Sequence, residues 1–144
     1  MAIDDNKRLV EHAFARLFNR GELALADELV SADFLNHDAP PEAPRGPAGL
    51  RFMVTMLRTA FPDIHYETEE LIAEGDKVVA RTTMRGTHLG PYMGIPPTGR
   101  RFEQQQIHIL RFADGKAVEH RAVRDDLGML QQLGVIPARG QAEV

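Results

Sequence analysis

The chain has 144 residues, of which 43% are hydrophobic and 26% are charged, and its formal net charge is −4. This length and composition are ordinary for one globular domain, so we expect a single domain over residues 1–144, with a polar tail from about residue 138. The sequence contains no cysteine, which excludes disulfides, thiolate zinc sites and a cysteine nucleophile.

Several kinds of partner are disfavoured by the charge pattern. Positive and negative side chains are interspersed, whereas nucleic-acid binding requires a basic face. The first residues, MAIDDNKRLVEH, are charged where a secretory signal needs an apolar run, and no stretch approaches the roughly 20 apolar residues of a membrane span. We therefore expect a soluble, cytoplasmic protein that binds neither nucleic acid nor membrane.

Two helices are predicted at the start of the chain. Asp4 and Asp5 suit a helix N-terminus, and apolar residues then recur at helical spacing as far as Phe18. Gly21 suits the left-handed conformation that commonly follows a helix. A second, shorter helix is predicted over residues 22–30.

A proline-rich loop and a third helix come next. Residues 31–37 leave helical spacing, and the following DAPPEAPRGP holds four of the nine prolines, which predicts a loop. The third helix is predicted over residues 47–61, with a proline in its first turn. Its apolar face carries Met53, Leu57 and Phe61, which we assign to the core and to the floor of any pocket.

The second half of the chain alternates in polarity, as strands do. Glu74-Gly75-Asp76 and Asp114-Gly115 interrupt the alternation, and an Asp-Gly pair between apolar runs is a strong hairpin signal. Helices segregated from strands predict an α+β fold, in which a strongly curved antiparallel sheet wraps around the N-terminal helices as a cone with an apolar interior. The predicted strands are 64–74, 77–88, 102–112 and 117–125, and a final short helix covers 127–133.

Three segments resemble the SnoaL-like polyketide and ester cyclases of the ketosteroid-isomerase-like, or nuclear transport factor 2-like, superfamily. They are ADFLNHD, GTHLGPYMGIPPTGRRFE and IHILRFADGKAVEHRAVRDDLGMLQQLG. The resemblance implies a cofactor-free enzyme in which a pocket aspartate removes a proton flanked by carbonyls, and an intramolecular aldol ring closure follows. Asp125 matches the aspartate of the motif, whereas Arg121 stands where the motif usually has tryptophan.

The last hairpin gathers candidate site residues on one face. If Ala113 pairs with Lys116 around a two-residue turn, alternation places a carboxylate, an imidazole, a guanidinium and amides together. A turn with a bulge would shift the register and break this grouping. The residues concerned are Gln104, Gln106, His108, Arg121, Val123 and Asp125.

Four of these residues have a candidate role, two in catalysis and two in substrate binding. Asp125 is the candidate general base, although it could instead cap the final helix, a role that we assign to Asp126. His108 could donate to a developing enolate oxygen or exchange protons, or it could be a core histidine satisfied by a neighbour. In substrate binding, the amide of Gln106 can both donate and accept hydrogen bonds. The guanidinium of the nearby Arg121 can only donate them.

Other candidates lie on loops and strand ends. The family likeness places a histidine such as His37 at the pocket, and His88 is similar but closer to its mouth. Tyr92 belongs to an apolar loop that could be a lid or a fixed loop at a dimer contact. The histidine spacings match no metal motif, so we expect no metal site. We interpret His12, His65 and His120 as surface residues.

The leading functional hypothesis is a cofactor-free enzyme that acts on a small hydrophobic carbonyl or polyketide-like compound by acid/base chemistry. The alternatives are a limonene-epoxide-hydrolase-like or isomerase activity in the same pocket, and a small-molecule binding protein without turnover. We also expect a homodimer or higher homo-oligomer, because Ile107 and Ile109 would otherwise leave the convex face of the sheet apolar and uncovered.

Overall fold

The computed structural model describes residues 2–137. Helices α1 to α3 come from the first half of the chain together with one strand, and the other four strands follow before a final helix. Helix α1 continues directly into a π-helical segment, and a short 3-10 turn precedes α2. The elements are α1 (Ala2–His12), the π-helical segment (Ala13–Phe18), the 3-10 turn (Leu23–Leu25), α2 (Ala26–Leu29), β1 (Val30–Asn36), α3 (Pro47–Ala60), β2 (His65–Glu74), β3 (Lys77–Thr87), β4 (Arg101–Ala113), β5 (Lys116–Arg124) and α4 (Asp126–Gln132).

The strands form one curved, unclosed sheet in the order β1-β5-β4-β3-β2. The predicted α+β class is confirmed, but the sheet has five strands and is not wholly antiparallel, because β1 runs parallel to β5. Sequence reasoning assigned no strand to this segment, and its polarity explains why. VSADFLN buries only Val30 and Phe34, so it lacks the strict alternation of a strand with one buried face.

Strand β4 alternates strictly, with an unusual distribution of polarity. The positions that face inward include the buried amides Gln104 and Gln106 and the buried His108, whereas Ile107 and Ile109 face outward and are 47% and 41% exposed. Helices and the inner face of the sheet enclose an otherwise apolar core. Polar groups buried in such a place must find hydrogen-bond partners, so this strand brings a polar network into the centre of the fold.

The hairpin between β4 and β5 has the predicted turn but not the predicted register. Asp114 and Gly115 both have positive φ, at 53° and 78°, as a two-residue turn of this type requires. Phe112 pairs with Ala117, but Arg111 pairs with Glu119, so the intervening Val118 is an extra residue, a β-bulge.

The bulge inverts the faces of the rest of β5. His108 now pairs with Ala122 and Gln106 with Arg124, so the side chains sharing their face are His120, Ala122 and Arg124. The predicted partnership of His108 and Gln106 with Arg121 and Val123 is therefore wrong.

Among the helices of residues 2–137, none has the length and apolarity needed to cross a membrane.

Candidate active site

A mostly apolar cavity lies between the concave face of the sheet and the helices. Its volume is about 70 Å3, and it opens to solvent. Apolar side chains from the helices and from β1 form most of the wall, which suits a hydrophobic ligand. They include Phe14, Phe18, Phe34, Met53 and Leu57. Met53 and Leu57 line the cavity, and their role in binding a substrate stays a prediction. Phe61 packs in the core beside Tyr92 and does not line the cavity.

Two buried histidines lie on the polar wall of this cavity. Nδ1 of His108 on β4 is 2.8 Å from Nε2 of His120 on β5. The rings of Phe14 and His108 pack in an edge-to-face arrangement, with their centroids 5.1 Å apart. Burial lowers the pKa of His108 well below its usual value and lowers the pKa of His120 to about 3, with Arg124 contributing to both. Both imidazoles are therefore neutral near pH 7.

The histidine pair is part of a longer line of hydrogen bonds. Nε2 of His108 is 2.7 Å from Oε1 of Gln106, whose own amide nitrogen donates to Oε1 of Gln104 at 2.7 Å. Nε2 of Gln104 in turn donates to Oδ1 of Asp126 at 3.0 Å. At the other end, Nδ1 of His120 is 2.8 Å from Oδ1 of Asn36. We call this line the polar chain; its members are Asn36, His120, His108, Gln106, Gln104 and Asp126.

Two further polar groups reach the cavity wall, Tyr66 on β2 and Arg124 at the end of β5. Burial raises the pKa of the Tyr66 hydroxyl to about 12, so this group is a neutral donor at physiological pH. Arg124 is half-buried and carries a permanent positive charge. Sequence reasoning did not place Tyr66, but its alternation on β2 and its pairing with the buried Met84 put it on the inner face.

The structure places Asp125 and Arg121 outside this cavity. Asp125 is exposed and caps α4, since its Oδ1 accepts a hydrogen bond from the backbone N–H of Gly128 at 3.0 Å. Arg121 faces solvent on the other side of the sheet, with its guanidinium 3.5 Å from Glu119. Their predicted location beside His108 is wrong because of the bulge. The predicted positions of the two aspartates are exchanged: Asp125 caps the helix, and Asp126 joins the polar chain.

The remaining candidates lie away from the cavity. Nε2 of His37 is 2.7 Å from Oε2 of Glu119 near the surface, where Arg111 and then His37 lower the pKa of Glu119 to about 2. His88 is fully buried, and its Nδ1 accepts from the backbone N–H of Thr98 at 3.2 Å. Tyr92 is buried against Phe61. The prediction that His37, His88 and Tyr92 lie at the pocket is therefore wrong, because none of the three lines the cavity.

The principal residue that sequence reasoning missed is His120, which it assigned to the surface. Alternation along β5 would have placed it inside if the bulge at Val118 had been assumed. Asn36 was missed because β1 was not recognised as a strand. No group of three or more histidine, aspartate and glutamate side chains arranged to hold a metal occurs within residues 2–137.

A cone-shaped α+β domain whose curved sheet and helices enclose one apolar cavity is the architecture of the nuclear transport factor 2-like proteins. The chain matches the family of SnoaL-like polyketide cyclases over residues 8–133. TsrD from Streptomyces laurentii has a similar structure, with a TM-score of 0.85 and 32% identity, over 92% of this chain and 97% of that one.

Curated relatives carry a more specific description. Over 135 residues the chain is 38% identical to the aklanonic acid methyl ester cyclase DnrD of Streptomyces peucetius, covering 92% of this chain and 90% of the relative. It is 36% identical over 119 residues to the nogalonic acid methyl ester cyclase of Streptomyces nogalater, covering 81% and 89%. The chain belongs to the SnoaL-like polyketide cyclase family and is an enzyme with polyketide cyclase-like activity.

Proposed function

We propose that this enzyme closes a ring in a polyketide-derived carbonyl compound by a cofactor-free intramolecular aldol reaction. The observation that carries this proposal is the neutral pair of His108 and His120 at the wall of an otherwise apolar cavity. The apolar wall suits a hydrophobic ring system, and the imidazoles supply the acid/base groups that the reaction needs.

The reaction requires one proton to leave the substrate and one to return. The histidine pair accepts a proton from a carbon flanked by two carbonyls, and the resulting enolate carbon forms a bond to a second carbonyl carbon of the same molecule. That carbonyl becomes an alkoxide, which recovers the proton from the imidazolium, so no atoms are lost or gained. The Tyr66 hydroxyl and the Arg124 guanidinium line the same cavity and can stabilise the enolate oxygen.

The lowered pKa values restrict the substrate. A histidine with a lowered pKa is neutral and free to accept a proton, but it is a weak base. It can deprotonate only a carbon made acidic by two neighbouring carbonyls. Its conjugate acid is correspondingly strong, which favours protonation of the alkoxide in the last step.

The names of the curated relatives suggest the first substrate to test. Their names give the methyl esters of aklanonic acid and nogalonic acid as the compounds that they cyclise. We propose a substrate of the same chemical class, a polyketide methyl ester that carries the two flanking carbonyls and the third carbonyl that the aldol step needs. Aklanonic acid methyl ester is the first compound to assay, because DnrD has the higher identity of the two.

The decisive experiment compares histidine and aspartate variants in a cyclisation assay. We expect His108→Gln and His120→Gln each to lower kcat by about 10²–10⁴-fold, the usual contribution of general acid/base catalysis. Asp125→Asn is the matched control, because asparagine also caps helices and Asp125 does not line the cavity. If Asp125→Asn abolished turnover while both histidine variants retained it, the family motif would identify the base and our assignment would be wrong.

The geometry does not favour the other activities considered from the sequence. An epoxide hydrolase of the limonene type needs two carboxylates around an arginine, whereas no carboxylate lines the cavity in the described part of the chain. Binding without turnover would appear in the same assay as tight association of the methyl ester with no ring-closed product.

A further inference from the structure

The polar chain runs from the cavity wall to the exposed start of α4, and the direction of its hydrogen bonds can be worked out from its ends. We propose that Gln106, Gln104 and Asp126 are positioning residues that fix the tautomers of both histidines and thereby place the proton-accepting atom of the site on Nδ1 of His120. This inference rests on the proposed function, because it assigns atoms within the acid/base pair.

The end at Asp126 determines the first tautomer. An ionised carboxylate can only accept, and the backbone carbonyl of Asp125, 3.3 Å from the same nitrogen, also only accepts. Gln104 must therefore donate through its amide nitrogen and accept through its oxygen. Gln106 donates to that oxygen, so its own oxygen faces His108 and accepts. Nε2 of His108 consequently carries the ring proton.

The same logic continues to the second histidine. Because Nε2 of His108 is protonated and the ring is neutral, its Nδ1 is an acceptor. The contact between the two buried rings is filled when Nε2 of His120, 2.8 Å away, carries the proton and donates it. In the neutral ring this leaves Nδ1 of His120 without a proton.

The far end of the polar chain is also an acceptor. The backbone N–H of Asp38 donates to Oδ1 of Asn36 at 3.0 Å, which turns that oxygen, rather than the amide nitrogen, toward the ring. The unprotonated Nδ1 of His120 and the oxygen of Asn36 are 2.8 Å apart. Two lone pairs therefore face each other at this contact.

Counting protons shows the consequence. The polar chain has five links between two terminal acceptors, and its four inner members donate one proton each along it when both histidines are neutral. One link is always unfilled, and the carboxylate of Asp126 disfavours an unfilled link at its own end. We place the unfilled link beside the half-buried Asn36, because two facing lone pairs cost less there than between the buried His108 and its buried neighbours. A proton taken up on Nδ1 of His120 fills that link, because the Asn36 oxygen then accepts from it.

The location of the vacancy suits the reaction. Asn36 is half-buried and lines the cavity together with His120, so it is the partner that a substrate can displace from the ring nitrogen. The other charged or titratable groups that bear on this ring are His108 on β4, Arg124 on β5 and His37 after β1. The buried Tyr66 on β2 also lines the cavity.

The test is a measurement of histidine tautomers in the full-length protein labelled with 15N in histidine. Long-range 1H–15N correlation spectra at about pH 7.5 distinguish a protonated Nε2 from a protonated Nδ1. We expect His108 and His120 both to be Nε2–H tautomers, with assignments made from His108→Gln and His120→Gln spectra. Observation of a predominant Nδ1–H form at either ring in the wild-type protein would overturn the proposal.

Variants that cut the polar chain make the prediction sharper. Gln106→Leu removes the acceptor beside Nε2 of His108. Two links of the histidines then remain, His108 to His120 and His120 to Asn36, and the two ring protons fill both of them if each histidine changes to the Nδ1–H form. Gln104→Leu frees the Gln106 amide to rotate and predicts the same reversal, which provides a second test if the first variant does not fold. Gln105→Leu is the matched control, because this exposed amide on the same strand bonds to Thr83 on the outside. It should leave both tautomers unchanged.

The outcomes separate this proposal from the proposed function. Unchanged tautomers in a folded Gln106→Leu or Gln104→Leu protein would show that the polar chain does not set them, whatever the activity. Reversed tautomers in these variants would support the positioning role. If the wild-type protein at the same time cyclised no polyketide ester, the aldol chemistry would be contradicted while the positioning role stood.

Discussion

At the scale of single residues, the most informative feature is a pair of histidines buried in their neutral form. The rings of His108 and His120 contact each other, and they also contact the amides of Gln106 and Asn36. Burial keeps their pKa values low, and an imidazole that stays neutral at physiological pH can accept a proton when a substrate offers one. That His108 acts in catalysis and Gln106 in substrate binding stays a prediction.

The buried histidines make the stability of the protein sensitive to acid. Their pKa values are lower in the folded than in the unfolded state, so below the unfolded value of about 6.5 the unfolded chain binds protons that the folded protein does not. The free energy of unfolding should therefore be fully retained above about pH 6.5. It should fall as the pH is lowered toward 3, by up to about 1.4 kcal/mol per pH unit for each histidine.

Urea unfolding between about pH 7.5 and 5 checks this prediction, because the carboxylate of Glu119 contributes only at lower pH. His120→Gln should flatten the pH dependence in this range, whereas His12→Gln, a change at an exposed residue of α1, should not. A wild-type free energy of unfolding that stays constant over this range would contradict the burial of neutral imidazoles.

At the scale of secondary-structure elements, the junction between β5 and α4 separates two adjacent aspartates. Asp125 follows the last residue of the strand and caps the helix. Asp126, one residue later, accepts a hydrogen bond from the buried Gln104. Their side chains therefore serve different parts of the molecule although both are exposed at the start of one short helix. Substitutions at the two positions should have different effects.

Removal of the helix cap should affect stability alone. We expect Asp125→Ala to lower the free energy of unfolding by about 1 kcal/mol, the usual cost of losing an N-cap side chain, and to leave kcat within about twofold of the wild type. Asp125→Asn should restore most of the stability. Equilibrium unfolding and the cyclisation assay measure both quantities, and a large loss of kcat in Asp125→Ala at full stability would point to a direct role of Asp125.

At the scale of the whole molecule, the cone has an apolar cavity inside and an apolar strip outside. Ile107, Ile109 and Val123 face away from the core and are 47%, 41% and 78% exposed. A contiguous apolar strip on a sheet favours burial against another surface, and the same face of a second copy is the simplest partner. A homodimer or higher homo-oligomer therefore stays our prediction.

Light scattering at micromolar concentration tests this prediction. We expect the wild-type protein to be at least dimeric and Ile109→Glu to shift it toward the monomer, because a charge buried in such a contact is unpaired. Glu28→Gln, at an exposed position on α2 and away from the sheet, is a control that should leave the mass unchanged. A monomeric wild-type protein would show that the strip is left to solvent.

The α+β class, the Asp-Gly hairpin turn and the family resemblance could be predicted from the sequence, because helical spacing, alternation and turn residues are local properties. The sequence also placed His108 and Gln106 on one face, since both lie on β4 and side chains alternate along a strand. The tertiary structure decided which residues of β5 join them. One unpaired residue at Val118 reverses every later side chain, and nothing in the local sequence marks a residue as unpaired. The bulge therefore moved His120 inside and Arg121 outside, and only the parallel pairing of β1 brought Asn36 to the same wall.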